Sequence, residues 1–351
     1  MAITLSSLAD LAALGFDTII DARAPSEYAE DHLPGAINLP VLDDAERARV
    51  GTVYKQESPF LARKIGAALV AKNVAAHLEG PLADKPGGWR PLVYCWRGGQ
   101  RSGSFATILA QVGWRVETVQ GGYKAWRQLV VDQVQNRPVA APVVVLDGNT
   151  GTAKTDILTL LAARGHQVID LEGLANHRGS LFGGRPGGQP SQKAFEGRLA
   201  IKLASLDPTR PLIVEAESSK IGSVVVPKQL WAAMCAAPRV RVSAPLDARA
   251  DYLARAYGDL CEDRQRLAEV IGRLRPLHAA EVIEEWLGLA EANQFRTLAR
   301  DLMLRHYDPR YSRHRARFEP DREVEVAVDS LAPEALADAA DRVVEAVARL
   351  A

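Results

Sequence analysis

The chain has 351 residues, enough for two domains that each have a hydrophobic core. Its 43 basic residues balance its 43 acidic residues, which argues against binding nucleic acid or a membrane through overall charge. Three widely spaced cysteines are too few for a disulfide framework or a structural zinc site. We expect a cytoplasmic protein that does not contact a membrane, because the sequence contains no signal-peptide pattern and no long apolar run.

The N-terminal part predicts a buried strand over residues 18–21, a helix from Pro25 and a second strand after the turn at Gly35. The residues that define the pattern of this part are Asp21, Arg23, Glu27, His32 and residues 35–38. This pattern resembles that of rhodanese domains, which are α/β sulfur-transfer modules with a catalytic cysteine. Residues 121–126 resemble the closing motif of that fold. We expect Asp21 and Arg23 to form a buried ion pair that braces the active-site loop, and His32 to be a hydrogen-bonded scaffold residue.

An insertion of about residues 43–88 follows, with a predicted helix over residues 61–78. Basic residues outnumber acidic ones in it, so it is either a solvated helix face or a surface that contacts RNA.

The central motif of the first half is Cys95 and the loop after it. A short apolar strand ends at Cys95, a loop rich in glycine and arginine follows, and a helix begins just beyond it. A helix N-terminus and two arginines, Arg97 and Arg101, favour the nucleophilic thiolate over the thiol. We therefore predict that Cys95 is a nucleophile, against the alternative of a buried structural cysteine. The remaining loop residues are Gly98, Gly99, Gln100 and Ser102.

The loop departs from the usual rhodanese spacing. Rhodanese loops have arginine five residues after the cysteine, whereas here Gln100 holds that place and Arg101 follows it. The resulting Cys-x5-Arg spacing also occurs in cysteine-dependent phosphatases and arsenate reductases, whose loops hold a tetrahedral oxyanion. We hypothesise that this loop accommodates a donor that carries phosphate or a larger chalcogen.

A proline-containing linker, residues 137–142, leads to a buried strand and a P-loop pattern. Ala153 replaces the glycine that usually precedes the lysine. The predicted phosphate-binding residues are Gly148, Asn149, Thr150, Gly151, Thr152, Lys154 and Thr155. A loop with only a structural role is the alternative.

Polar residues that follow the next strands are expected to face the same cleft as the P-loop. They are Asp170, Glu172, His177, Arg178, Glu215, Glu217, Ser219 and Lys220.

The chain beyond Asp247 is predicted to be helical to its end. Arginines and aromatic residues alternate over residues 296–317, which form either a solvated helix end or a surface for RNA phosphates. The RNA-contact candidates are Arg305, His306, Tyr307, Arg310, Arg313 and Arg315, and Arg317 belongs to the same stretch.

Residues 50–60, 94–104, 170–180, 217–222 and 306–309 together resemble the bacterial tRNA 2-selenouridine synthase family over nearly the whole chain. The resemblance implies an α/β protein with a rhodanese-like domain (1–136), a linker (137–142), a P-loop NTPase-like α/β domain (143–245) and a helical C-terminal region (246–351). It also implies a transferase that acts on the wobble uridine of tRNA. In the reaction that the resemblance implies, the 2-thiouridine at the wobble position is first S-geranylated from geranyl diphosphate. The geranylthio group is then replaced by selenium from selenophosphate.

On this interpretation the P-loop holds a diphosphate, and Cys95 takes part in selenium delivery, either as a selenosulfide or by direct delivery. No tightly bound cofactor is expected, no metal-binding residues are identified, and a requirement for Mg²⁺ stays open. Two alternatives stay open. A persulfide sulfurtransferase is favoured if Cys95 accepts sulfur from thiosulfate while selenophosphate has no effect. An ATP-driven RNA-binding protein is favoured if Cys95→Ala is harmless and Lys154→Ala is not.

Overall fold

A computed structural model describes residues 1–315 and 322–350. The chain divides into two compact units. The first unit comprises Met1–Asn136 and Pro190–Ser205, and the second unit comprises Arg137–Gln189 and Leu206–Ala351. Every helix in the described part of the chain is too short or too polar to cross a bilayer.

The first unit is built on a parallel five-stranded sheet. Its strands are β1 (Ala2–Ile3), β2 (Thr18–Asp21), β3 (Ala36–Asn38), β4 (Pro91–Tyr94) and β5 (Glu117–Val119). Its helices are α1 (Asp10–Ala13), α2 (Pro25–Glu30), α3 (Asp44–Gln56), α4 (Pro59–Glu79), α5 (Gln100–Val112) and α6 (Gly122–Val131), which a π-helical turn (Asp132–Asn136) extends. The strand order β1-β5-β4-β2-β3 makes the fully buried β4 the central strand. Cys95 follows directly at its carboxyl end.

The helix predicted over residues 61–78 is confirmed, because it lies within α4. The Ser58 hydroxyl accepts a hydrogen bond from the Leu61 N–H and Pro59 occupies the first turn, so the start of α4 is fixed by its own sequence. Val70 and Val74 of α4 pack in one core cluster with Phe105 and Leu109. The insertion is therefore part of the core of the first unit.

The other elements follow in chain order. The strands are β6 (Val143–Asp147), β7 (Gln167–Ile169), β8 (Leu212–Glu215), β9 (Lys220–Ile221), β10 (Val224–Val225), β11 (Arg239–Ser243) and β12 (Glu323–Ala327). The helices are α7 (Lys154–Ala163), α8 (Leu171–Leu174), α9 (Gln192–Ala204), α10 (Lys228–Ala236), α11 (Leu246–Ala256), α12 (Gly258–Glu262), α13 (Arg264–Gly272), α14 (Ala280–Glu291), α15 (Phe295–Leu302), α16 (Asp308–Arg315) and α17 (Pro333–Leu350). A 3-10 turn (Arg275–Leu277) and a π-helical turn (Met303–Tyr307) complete them.

The second unit also has a parallel five-stranded sheet, in the order β12-β11-β6-β8-β7, while β9 and β10 form a separate antiparallel pair. The central strand β6 leads straight into the P-loop. Ligands of open α/β sheets bind at the carboxyl ends of such strands.

Two expectations about the second half need correction. Helix α9 lies inside the predicted P-loop domain (143–245) but groups with the first unit, where Glu196 pairs with Arg127 of α6. The region 246–351 is not wholly helical, because β12 pairs in parallel with β11. Helix α17, which follows β12, buries one face against the core of the second unit.

Candidate active sites

Cys95 lies at the turn between β4 and α5 and is almost fully buried. The Ser102 hydroxyl donates a hydrogen bond to the Cys95 sulfur, with an Oγ–Sγ distance of 3.2 Å. Gly99 immediately precedes α5 and has a φ of +74°, a conformation that favours glycine. The sulfur is therefore held near the N-terminal turn of α5 by Ser102.

The closing motif fixes the other side of this loop. The Tyr123 N–H donates to the Cys95 carbonyl oxygen at 2.8 Å, and the Lys124 N–H donates to the Trp96 carbonyl oxygen at 2.9 Å. The indole of Trp96 stacks on the Tyr123 ring with a centroid distance of 5.4 Å. Residues 121–126 thus position the cysteine through backbone hydrogen bonds.

The predicted Asp21–Arg23 ion pair is confirmed, since both side chains are buried and their closest atoms are 2.6 Å apart. The Tyr94 hydroxyl donates to Asp21 at 2.7 Å and accepts from the Leu33 N–H at 3.1 Å. Burial and the neighbouring Asp21 raise the pKa of Tyr94 well above its usual value. Because Tyr94 precedes Cys95, this buried network braces the cysteine loop.

His32 is a scaffold residue, as expected. Its Nδ1 atom is 2.9 Å from the Tyr28 carbonyl oxygen, and its ring stacks on the Tyr28 ring.

The two loop arginines differ in their surroundings. Arg101 forms an ion pair with Glu27 at 2.7 Å, and Arg47 of the insertion reaches the same carboxylate at 3.1 Å. Burial acts to raise the pKa of Glu27, but the hydrogen bond and charge of Arg101 outweigh it and lower that pKa. Arg97 is exposed, as are Gly98, Gly99 and Gln100. The structure thus brings Ser102 to the sulfur, while Arg101 is oriented by Glu27.

The P-loop connects β6 to α7. The Lys154 ammonium donates to the Gly148 carbonyl oxygen at 2.9 Å, and the Thr152 hydroxyl donates to the Asn149 carbonyl oxygen at 2.9 Å. Ala153 has a φ of +57°, is almost fully buried, and belongs to the apolar core of the second unit. The replacement of glycine by alanine is therefore accommodated by packing the methyl group into the core.

Helices α11 and α16 support this loop. The Arg249 guanidinium donates to the Thr150 carbonyl oxygen at 2.9 Å and pairs with Asp308 at 2.7 Å. Asp308 in turn accepts a hydrogen bond from the Asn149 side chain at 3.1 Å. No local sequence signal marks Arg249, and the segment 306–309 that contains Asp308 gives no sign that it approaches the P-loop, since both contacts arise only in the tertiary fold.

Three glutamates converge beside the P-loop. A Cβ atom on Gly179 would lie 2.4 Å from a Glu217 oxygen and 2.9 Å from a Glu172 oxygen, so Glu172 and Glu217 are neighbours. Glu215 accepts a hydrogen bond from the Glu172 N–H at 2.7 Å. Burial and the charge of Glu172 raise the pKa of Glu217 to about 8, and burial raises those of Glu172 and Glu215. The Glu217 carboxyl group can therefore exchange a proton near neutral pH.

The other predicted cleft residues have varied roles. Asp170 caps α8 by accepting from the Gly173 N–H at 2.7 Å. Arg178 lines the cleft and pairs with Asp259 at 2.7 Å, while burial lowers the pKa of His177. Ser219 and Lys220 are exposed and line none of the three cavities described below.

Within the described residues, no group of three or more His, Cys, Asp or Glu side chains has the arrangement of a metal site.

Among the cavities that the described residues of the second unit enclose, three differ clearly in the chemistry of their linings. The phosphate cleft is lined by residues 150–156 together with Glu172, Arg178 and Arg185. The apolar cavity has a volume of about 70 Å³ and is lined mainly by Phe182, Leu253, Leu260, Phe295, Leu298 and Met303. The aromatic cavity is lined by Trp231, His306, Tyr307, Arg310 and Tyr311, among others. Sequence reasoning missed the last two, because their lining residues are far apart in the chain.

Within the predicted RNA-contact stretch, the charge of Arg305 is neutralised by two acidic residues. Arg305 pairs with Glu285 at 2.9 Å and with Asp301 at 3.1 Å. His306 is buried, with its Nδ1 atom 2.9 Å from the His278 Nε2 atom, so it is not a surface contact for phosphate. Arg310 and Arg313 are exposed. The Arg315 side chain and Arg317 lie outside the residues that the structure describes.

Comparison with known proteins agrees with this two-part architecture. Residues 4–129 match the family model described as a rhodanese-like domain, and residues 141–279 match that described as the tRNA 2-selenouridine synthase AAA domain. A tRNA 2-selenouridine synthase from Chromohalobacter salexigens is 35% identical over 343 residues, covering 88% of this chain and 91% of that protein.

The chain belongs to the tRNA 2-selenouridine synthase family. A second member, from Hahella chejuensis, is 34% identical and covers 84% of both chains. A third, from Pseudomonas syringae pv. syringae, is 40% identical over 68% of this chain and 65% of its own length. The family resemblance expected from the motifs is thereby confirmed, as is the α/β fold that combines a rhodanese-like with a P-loop region.

Proposed function

We propose that the protein converts 2-thiouridine at the wobble position of tRNA into 2-selenouridine through an S-geranyl intermediate, using geranyl diphosphate and then selenophosphate. The observation that carries this proposal is the contiguity of the phosphate cleft and the apolar cavity. Thr150, Ser180, Leu253 and Tyr257 line both spaces. A ligand that joins a diphosphate to a hydrocarbon chain matches such a pair of neighbouring environments, whereas a nucleoside triphosphate has no hydrocarbon part to place in the second.

The first step is an alkyl transfer. The sulfur of 2-thiouridine attacks C1 of geranyl diphosphate, a C–S bond forms and the C1–O bond breaks. The electron pair leaves with the diphosphate, and the N3 proton of the base passes to a carboxylate or to water. Lys154 and the N-terminal N–H groups of α7 are suited to stabilise the charge of the diphosphate leaving group.

The second step needs selenium at the oxidation level of selenide. A selenosulfide on Cys95 would oblige phosphorus to leave as phosphite and would then require a reductant. We therefore favour attack of the Cys95 thiolate on phosphorus, with formation of an S–P bond, cleavage of the P–Se bond and release of hydrogen selenide anion. Water hydrolyses the phosphocysteine to phosphate. The selenide displaces the geranylthiolate at C2, and its proton moves to N3.

The residues of the cysteine loop support this second step. Ser102 lies within hydrogen-bond distance of the sulfur, α5 presents its N-terminus to the loop, and Arg101 is held by Glu27 at the Cys-x5-Arg position. The experiment is mass spectrometry of tRNA nucleosides after incubation with geranyl diphosphate and then with selenophosphate. We expect S-geranyl-2-thiouridine first and 2-selenouridine second. Selenation of 2-thiouridine without any geranylated species would contradict the proposal.

A further inference from the structure

The aromatic cavity in the second unit has the size and lining of a small-molecule site. Its volume is about 460 Å³, within the range of roughly 300 to 1,000 Å³ that is usual for ligand pockets. It lies at the carboxyl ends of β6 and β8, where Asp147 and residues 216–218 line it. In an open α/β sheet this is the edge at which ligands bind.

We propose that this cavity receives the extruded pyrimidine base of the acceptor nucleotide, with the C2 sulfur directed toward Ser180. This inference rests on the proposed function and gives it an acceptor site. Trp231, Tyr307 and Tyr311 contribute three aromatic rings to the cavity, and such rings are what unstacked bases bind in proteins that recognise single-stranded RNA. Arg310 is exposed as well as lining the cavity, so its charge can meet a flanking phosphate.

The polar groups of the cavity suit an uncharged base. Burial and the nearby Arg310 lower the pKa of His306 to about 4, so its ring is neutral at physiological pH and can offer a hydrogen bond. The buried Tyr307 hydroxyl makes no hydrogen bond shorter than 3.5 Å to a described residue. Arg239, in the wall, is paired with Asp147 at 3.4 Å. Proteins recognise a flipped base by stacking aromatic side chains on its faces and by forming hydrogen bonds with its edge.

The position of Ser180 ties this cavity to the chemistry. Ser180 contributes to the lining of the phosphate cleft, of the apolar cavity and of the aromatic cavity. C1 of a prenyl diphosphate joins its hydrocarbon chain to its diphosphate, so it must lie where the apolar cavity meets the phosphate cleft. A nucleophile that attacks C1 has to arrive from a third direction, and the aromatic cavity provides it. Glu217 lines the same cavity, and in its ionised form it can accept the N3 proton that the base loses.

The test is a kinetic comparison of three variants. The substrates are geranyl diphosphate and an anticodon stem–loop RNA that carries 2-thiouridine at the wobble position. Trp231→Ala should raise KM for the RNA about tenfold, because loss of one stacking contact costs on the order of 1–3 kcal/mol. Its KM for geranyl diphosphate should not change. Trp231→Phe should restore the KM for RNA to within about threefold of the wild-type value.

Leu304→Ala, at an exposed position of the same helical segment as His306, is the matched control and should change neither KM value. Equal effects on both substrates, or no effect on either, would overturn the assignment.

A second measurement does not depend on catalysis. The same RNA with 5-bromouridine at the wobble position is irradiated with the wild-type protein, and the crosslinked peptide is identified. Crosslinks to Trp231, Tyr307 or Tyr311 support the base site, and crosslinks confined to other segments refute it. If the wild-type protein crosslinks in the cavity but forms no geranylated nucleoside, the proposed alkyl transfer is wrong and the base site stands.

Discussion

A Cβ atom placed on Gly122 would lie 2.3 Å from the Cys95 carbonyl oxygen, so the two segments can meet only because residue 122 is glycine. Gly122 also has a φ of +57°, which is unfavourable for other residues. The closing motif and the cysteine loop are thus joined at a contact that tolerates no side chain.

We predict that Gly122→Ala lowers the free energy of unfolding of the first unit by about 2–4 kcal/mol, as overpacking and the strained φ add. It should also stop selenation while geranylation continues. Chemical denaturation and nucleoside analysis measure the two effects. Gly66→Ala, within α4 and with only ordinary contacts around its Cβ, is the control and should be nearly neutral. Full selenation by Gly122→Ala would show that this contact does not position Cys95.

Ala153→Gly should leave ligand binding intact. The left-handed conformation costs alanine about 1–2 kcal/mol, while burial of its methyl group contributes about 0.8 kcal/mol. The free energy of unfolding should therefore change by no more than about 1 kcal/mol, and KM for geranyl diphosphate should stay within about threefold of the wild-type value.

Gly151→Ala is the contrasting variant. Its φ is +84° and its Cβ would lie 3.0 Å from Leu253 Cγ, so KM should rise. If Ala153→Gly raised KM tenfold, the alanine would be a specific part of the phosphate site.

The buried glutamates predict how stability varies with pH. The pKa of Glu217 is raised to about 8 from an ordinary value of 4.5. The folded state therefore binds more protons than the unfolded state between these pH values, and the free energy of unfolding falls as pH rises through this window. One such group gives a slope of up to about 1.4 kcal/mol per pH unit.

Glu217→Gln should flatten this slope and stabilise the protein at pH values near 8. Thermal or denaturant unfolding from pH 5 to pH 9 tests this expectation, and Glu291→Gln at an exposed position is the control. A slope that is unchanged in Glu217→Gln would mean that another group causes it.

Local sequence was sufficient to predict both strand–loop–helix motifs, the helix within α4 and the Asp21–Arg23 pair. Each of these depends on apolar spacing, a helix-start signal or the requirement that a buried charge has a partner. The strand β12 was missed although Glu323 to Ala327 alternate polar and apolar residues, because its partner β11 is about 80 residues away in the chain.

Other features depend on distant parts of the chain and have no local signal. The grouping of α9 with the first unit involves the Arg127–Glu196 pair. The neutralisation of Arg305 by Glu285 and the support of the P-loop by Arg249 likewise appear only in the folded chain. The same holds for the apolar and aromatic cavities, whose walls come from several helices.

The central claim is that the two units carry separate steps, and nucleoside mass spectrometry on two variants tests it most directly. With geranyl diphosphate and selenophosphate both present, Cys95→Ala should accumulate S-geranyl-2-thiouridine and form no 2-selenouridine. Lys154→Ala should raise KM for geranyl diphosphate about tenfold or more, because a charged hydrogen bond to the diphosphate is lost. Lys220→Ala, which removes an exposed lysine outside the cavities, should behave as wild type. If Cys95→Ala and Lys154→Ala block the same single step, the division of labour is contradicted.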